Sequence, residues 1–380
     1  MTDHPEAGNP PGIYIHIPFC VQKCGYCGFF SVTDRGLIPD FLTALRSEAF
    51  SYREQWNRFD TLYIGGGTPS VLTADDIGCV LDIVRSAFTI TPDAEITVEV
   101  NPGDIHAAYL RGLRVAGVNR LNIGCQSLDD ETLAFLGRRH TARQSGDAVR
   151  LAREAGFENI GIDLIYGIPG QSISRWRETL GNALSLAPDH LSCYQLTIEE
   201  GTPFAERRRK GEVILPGDAI QADFFLMTSR MLEESGYDHY EVSNFARLSE
   251  TQSRHNKKYW NHTPYLGLGP AAHSFDGSRR WWNTRSVDAY IGELAAERLP
   301  VAASERLTPD QLQMEALFLG FRTKRGVNLE DFKRRFDCDL VQEKGKLLER
   351  LREEGLVEIW GGFLRPTRAG MAVADSLALI

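Results

Sequence analysis

Cysteine is scarce in this chain. There are seven in 380 residues, an odd number and too few for a disulfide framework. Long apolar runs are missing as well. No stretch approaches the ~18 consecutive apolar residues of a membrane-spanning helix. Residues 1–11 carry Asp3 and Glu6 and lack the apolar core of a secretory signal, so they are expected to be a short loose leader. Positive charge is not in excess either: 42 Lys and Arg against 51 Asp and Glu give −9, a poor start for a general binder of nucleic acid or anionic membrane. Gly and Pro, at 35 and 17, are near average, which excludes collagen-like repetition and gross disorder. What remains is a chain with a sizeable core, expected in a reducing cytoplasm and long enough for two or three domains at ~150 residues each.

Short apolar runs alternate with helix-period segments along the first half. Strands are expected at Gly12–Pro18, Thr61–Ile64, Glu95–Val100, Arg120–Gly124, Asn159–Ile165 and His190–Leu196. Between them, helical patterns cover Pro39–Arg53, Thr73–Phe88, Ile105–Ala116, Asp130–Leu136 with Ala142–Ala155, and Ser172–Leu186. Six such repeats predict an α/β chain with a parallel sheet closed into a full or partial (βα)6-type barrel over residues 12–240. Parallel strands are buried on both faces, which suits "GIDLIYGIP". Chemistry in such barrels gathers at the C-terminal strand ends.

Residues 241–303 form a connecting region, and 304–380 a separate unit. Thr308-Pro309-Asp310-Gln311 has a capping-box pattern with Pro at the first helical position, opening a helix through about Phe321. Asn328 can cap a second helix, and Leu340–Glu354 makes a third. "LVEIW" and "FLRP" then form a hairpin across Gly361-Gly362. Three helices and a hairpin predict a winged-helix-like domain. Its 13 Lys and Arg balance 13 Asp and Glu, so nucleic acid is not the expected partner.

Three of the seven cysteines, Cys20, Cys24 and Cys27, fall within "CVQKCGYC", directly after the first strand. A cubane iron–sulfur cluster has four irons, so three thiolates leave one iron open to another ligand. A structural zinc site is the plainer alternative, but it needs four ligands and usually paired half-sites, and no second C-x2-C exists elsewhere. His16 is an awkward fourth ligand because it lies within the strand. One βα unit later comes "YIGGGTP", whose glycines can serve a simple tight turn or a close backbone approach to a small ligand.

At these residues the chain resembles the radical S-adenosylmethionine superfamily, whose members hold a 4Fe-4S cluster on C-x3-C-x2-C. "GIYIHIPFC", "TVEVNPGD", "RLNIGCQS", "GIDLIYGIPG" and "HNKKYW" narrow the resemblance to the branch of oxygen-independent coproporphyrinogen III oxidases, over almost the whole chain. That resemblance implies a radical-SAM barrel with the cluster on Cys20, Cys24 and Cys27. Matched by position, it implies S-adenosylmethionine contacts at Tyr14, Tyr26, Gly66, Gly67, Thr68, Glu99, Gln126, Arg138 and Asp163. Carboxylates suit ribose hydroxyls and amines, Gln126 offers donor and acceptor, and Arg138 can meet a carboxylate.

Within the branch, the oxidases continue the motif with a fourth cysteine, whereas Gly28-Phe29 follows Cys27 here. With "HNKKYW", this makes the chain similar to the HemW-type heme chaperones. The resemblance implies a cytoplasmic protein that binds heme and transfers it to unidentified acceptor proteins, some membrane-bound and met peripherally. It also implies an electron donor. The alternatives are decarboxylation of coproporphyrinogen III, or another radical reaction on a tetrapyrrole. For heme itself, "HNKKYWNHTPYLGLGPAAH" offers His255, His262 and His273 beside Tyr259, Trp260 and Tyr265. His255 is the leading iron ligand, then His273, with Tyr259 as apolar surface.

Overall fold

The computed structural model describes residues 10–379, so the expected leader falls outside the described residues except for Pro10 and Pro11. Six strands lie side by side in chain order and run parallel: β1 (Gly12–Ile17), β2 (Arg58–Gly66), β3 (Thr89–Val100), β4 (Arg120–Gln126), β5 (Asn159–Tyr166) and β6 (His190–Gln195). Their crossovers contain α1 (Ile38–Tyr52), α2 (Ala74–Ala87), α3 (Ala107–Ala116), α4 (Asp130–Leu136), α5 (Ala142–Glu154) and α6 (Ile173–Ser185). All of these elements except β3, which starts six residues before the expected Glu95, are within a few residues of their sequence expectation. Ile13, Ile15 and Ile17 are fully buried and His16 is nearly so, because helices cover one strand face and the barrel interior covers the other. Helix starts are fixed locally: Thr73 with Asp76 and Thr141 with Gln144 form capping boxes at α2 and α5.

The barrel is partial, and strands continue beyond both of its edges. After α7 (Pro203–Arg209) and α8 (Asp218–Glu234) come β7 (Asp238–Glu241) and β8 (Asn244–Ala246), which extend the sheet antiparallel from β6. Next is α9 (Arg254–Trp260). Then β9 (Tyr265–Leu268) pairs parallel with β1, and β10 (His273–Phe275), β11 (Arg279–Asn283) and, after α10 (Val287–Ala295), β12 (Val301–Arg306) follow as an antiparallel meander. Residues 241–303, read from sequence as a connecting region, thus supply most of these added strands. These strands are only three to six residues long, too short for a clear period.

The tail has its own core, built on Phe321, Phe332, Leu348 and Leu364. It comprises α11 (Pro309–Phe321), β13 (Val327–Asn328), α12 (Leu329–Phe336), α13 (Leu340–Glu353), β14 (Val357–Trp360), β15 (Phe363–Pro366) and two short terminal helices. Thr308 and Gln311 make the expected capping box, and Asn328 caps α12. Gly361 and Gly362 both take positive φ, 57° and 81°, as a two-residue hairpin turn demands. Three helices and a three-stranded sheet give the winged-helix form.

Candidate functional site

β1 delivers the cysteine loop at its C-terminal end. The loop is clamped where it leaves the strand: Cys20 N donates to Val32 O at 2.9 Å and Val32 N to Pro18 O at 2.7 Å. The glycine loop after β2 binds the same segment, with Gly67 N donating to Ile17 O and Thr68 N to Phe19 O, both at 2.8 Å. Thr68 Oγ1 lies 3.3 Å from Cys20 Sγ. From the far side, Arg138 reaches Cys24 Sγ with Nη1 at 3.6 Å and Gly124 O with Nη2 at 2.9 Å. Cys20 is buried and the other two thiols are half-buried. Among the described residues, no three His, Cys, Asp or Glu side chains converge on a point where a single ion could sit. The three cysteines lie along the one loop that follows β1.

The glycines have an intramolecular reason to be there. Gly66 sits at φ 112°, and a Cβ on it would meet the His16 ring at 2.7 Å. A Cβ on Gly67 would meet Phe19 O at 2.7 Å and Cys20 Sγ at 3.1 Å. Close approach is therefore needed first between the two loops of this chain, not between the chain and a ligand.

Deeper in the barrel mouth, two carboxylates face the interior. Glu99 accepts from Tyr63 OH at 2.8 Å and Gly66 N at 3.3 Å, and burial pushes its carboxyl up to about 7. Asp163 accepts from Asn122 Nδ2 at 2.6 Å through Oδ2, and burial raises it to about 6. Asp163 Oδ1 and Arg138 Nε are buried with no hydrogen-bond partner. Unsatisfied buried acceptor and donor atoms at a strand-end mouth fit a polar ligand with hydroxyl, amine and carboxylate groups. Gln126, at φ 64°, ends β4 in the left-handed region, and its strand's register with β5 shifts there. Tyr26 packs against Phe204 of α7, on the outer side of the cysteine loop.

A cavity of about 470 Å³ opens above Glu99, a size suited to a cofactor. Of the sequence-derived residues, Tyr14, Gly66, Glu99, His255, Tyr259 and His273 line it. The three cysteines, Gln126, Arg138 and Asp163 do not. Sequence reasoning missed Tyr63, Asn122 and Arg285, and noted Phe29 only as the residue in place of a cysteine. Tyr63 had a signal, two residues before Gly65 on the same strand face, whereas Arg285 had none.

His255, the leading iron ligand of the sequence reading, already has a partner at each ring nitrogen. Its Nδ1 is 2.9 Å from Thr61 Oγ1, its Nε2 is 2.8 Å from Tyr259 OH, and burial lowers its pKa to about 3. A ligand at either nitrogen has to displace the Thr61 or the Tyr259 hydroxyl. Glu95 accepts from the backbone N–H groups of Arg254 and His255, at 3.0 and 2.9 Å, seating the start of α9 on β3. Lys258 pairs with Asp60 at 2.6 Å, and Trp260 lies under the Arg322 guanidinium at 4.9 Å. "HNKKYW" is thus a fastener between β2, β3 and the tail. His262 is also engaged, through Glu315 at 3.2 Å and a stack on Phe275 at 4.6 Å.

Relatives of known name share this layout. Residues 14–183 match the radical SAM superfamily and 307–373 the HemN C-terminal domain. The heme chaperone HemW of Mycobacterium tuberculosis is 35% identical over 98% of this chain and 95% of its own length. The heme chaperone HemW of Bacillus subtilis is 34% identical over 90% of this chain and 92% of its own. Among solved structures, the coproporphyrinogen III oxidase HemN of Escherichia coli, a radical SAM enzyme, superposes with a TM-score of 0.84 at 26% identity, covering 98% of this chain and 89% of that one. Because the likeness to the chaperones runs through barrel, added strands and tail alike, this chain belongs to the HemW heme-chaperone family of the radical SAM superfamily.

Proposed function

We propose that this protein is a heme chaperone that binds heme, holds a 4Fe-4S cluster with S-adenosylmethionine, and passes heme to acceptor proteins. The observation that carries this is the 35% identity to a named heme chaperone over nearly the full length of both chains. Cys20, Cys24 and Cys27 hold the cluster. Tyr14, Tyr26, Gly66, Gly67, Thr68, Glu99, Gln126, Arg138 and Asp163 surround S-adenosylmethionine, and the unpartnered Asp163 Oδ1 and Arg138 Nε support that assignment. When bound and reduced, the cluster supplies an electron able to cleave S-adenosylmethionine.

The chain's own residues position and shield. Thr68 Oγ1 and Arg138 Nη1 lie against the sulfurs of Cys20 and Cys24 and help to fix their positions. Phe204 covers Gly25 so closely that a Cβ there would lie 2.7 Å from its ring, closing the loop from outside. Glu99 and Asp163, with raised pKa values, can hold a proton or release it to a bound amine near neutral pH.

Coproporphyrinogen III decarboxylation is the second reading, favoured by the 0.84 TM-score to the oxidase. Against it stands Phe29, whose side chain is 65% exposed where the oxidases carry a further cysteine. The expected partners are heme, heme-acceptor proteins and an electron donor. Contact with membrane-bound acceptors is peripheral in this proposal, since among the described residues no helix is long and apolar enough to cross a membrane. The compartment we assign is the cytoplasm. The test is twofold: titration with hemin, and anaerobic incubation of the cluster-loaded protein with coproporphyrinogen III, S-adenosylmethionine and reductant. Stoichiometric hemin uptake without decarboxylated product is expected. Product at multiple turnovers would replace the chaperone reading with the oxidase one.

A further inference from the structure

Three histidines line the cavity above Glu99, and two of them are already engaged. His255 is held by Thr61 and Tyr259, and His16 by Tyr14 OH at 3.0 Å and Phe30 O at 2.8 Å. His273 differs: its side chain makes no hydrogen bond among the described residues, and its ring is stacked on Trp282 at 5.6 Å and 23°. The backbone beneath it is fixed. Gly267 N donates to Ser274 Oγ at 2.9 Å, Asn283 N to Ala272 O at 2.9 Å, and Gly269 N to the buried Glu48 carboxylate at 2.8 Å. The imidazole is exposed at the rim of the cavity, and its nitrogens are free of partners among the described residues.

Arg285, an exposed cation at the rim of the same cavity, also lacks a counter-charge. Arg285 forms no ion pair among the described residues, and its guanidinium touches only Gly28 O, at 3.5 Å. Gly28 begins the segment that carries Phe29, whose ring is mostly exposed and lines the same cavity. A flat apolar ring, an available imidazole and an unpaired guanidinium around about 470 Å³ match the three chemistries of heme: macrocycle, iron and propionate.

We propose that His273 is the axial ligand of the heme iron, that Arg285 receives a heme propionate, and that Phe29 packs on the macrocycle, with His255 a positioning residue that aims Tyr259. The inference rests on the heme-chaperone reading above. It puts heme against the segment that follows Cys27, and so makes the residue replacing the oxidases' fourth cysteine part of the heme site.

The experiment is a hemin titration of the full chain, followed by the Soret band and stoichiometry. His273→Ala should shift the Soret band and raise Kd, and added imidazole should restore the wild-type spectrum, which a misfolded variant would not do. His255→Gln should keep the Soret position. Arg285→Gln should raise Kd about tenfold or more for hemin and leave Kd for hemin dimethyl ester, which has no free propionates, at its wild-type value. Its Kd for S-adenosylmethionine should not change. A wild-type spectrum in His273→Ala, or a spectral loss confined to His255→Gln, overturns the iron assignment while leaving heme binding intact. Equal losses for hemin and its ester, or a loss for S-adenosylmethionine alone, overturn the propionate contact. Failure of the wild-type chain to take up hemin would sink both this inference and the chaperone reading.

Discussion

A carboxylate enclosed on all sides, as Glu48 is, resists ionisation, and burial raises it to about 7 even though Tyr290 OH donates at 2.6 Å, Gly269 N at 2.8 Å and Asn283 Nδ2 at 2.5 Å. The native chain therefore keeps this proton where the unfolded chain, at an ordinary 4.5, has lost it. Stability must fall as pH rises between those two values, by roughly 3 kcal/mol for this group. Glu48→Gln removes the titration, so the stability difference between wild type and variant should shrink across that window in urea titrations. Parallel pH curves for the two proteins would show that Glu48 does not carry this dependence. Two of the scattered cysteines are fully enclosed, Cys125 and Cys193. Burial raises Cys125 to about 12 and moves Cys193 upward too, so neither offers a ready thiolate. Alanine at Cys20, Cys24 or Cys27 should abolish the charge-transfer absorption of the reconstituted cluster, whereas alanine at Cys79, Cys125, Cys193 or Cys338 should preserve it. An equal requirement for one of the second group would refute three-thiolate ligation.

Turns between elements are where backbone geometry allows least change. Gly269, just after β9, takes φ 99°, and a Cβ there would lie 2.5 Å from His16 O, which is backbone and cannot move aside. Gly292 lies inside α10 with nothing within 4 Å of a Cβ. Gly269→Ala should cost about 2 kcal/mol or more, from strain added to a clash, while Gly292→Ala should gain ~0.5–1 kcal/mol by lowering unfolded-chain entropy and raising helix propensity. Thermal midpoints moving in the same direction for both would contradict this account. Gly66→Val belongs with Gly269: its first effect is to displace His16, so any loss of S-adenosylmethionine affinity should come with a lower melting temperature.

The tail is joined to the barrel through a buried charge. Glu241, fully buried at the end of β7, meets Arg322 at 3.3 Å, and that guanidinium also covers Trp260. Val242 N donates to Arg322 O at 2.9 Å across the same seam. Removing the cation leaves an enclosed carboxylate without its partner, which costs about 3–5 kcal/mol. Arg322→Met should therefore destabilise the whole chain, and the Arg322→Met/Glu241→Gln pair should recover most of the loss. Chemical denaturation of the four proteins in this cycle gives the coupling directly, and simple additivity would mean that the ion pair does not hold the two parts together.

Local chemistry decided much of this protein in advance. Alternating apolar strands and amphipathic helices fixed the six βα units to within a few residues, the start of β3 apart, because a parallel sheet needs strands buried on both faces and helices with one apolar stripe. Thr308, Asn328 and Gly361-Gly362 fixed the tail, since caps and two-residue turns involve only near neighbours. Three cysteines at one strand end marked the metal-binding loop for the same reason. The added strands beyond both sides of the barrel were not legible, because at three to six residues each they are too short to show a period. Nor could spacing reveal that His255 is sealed between Thr61 and Tyr259 while His273, eighteen positions on, is available. Which nitrogen of an imidazole is left for a ligand depends on partners brought from β2, α9 and β11, and only folding sets those distances.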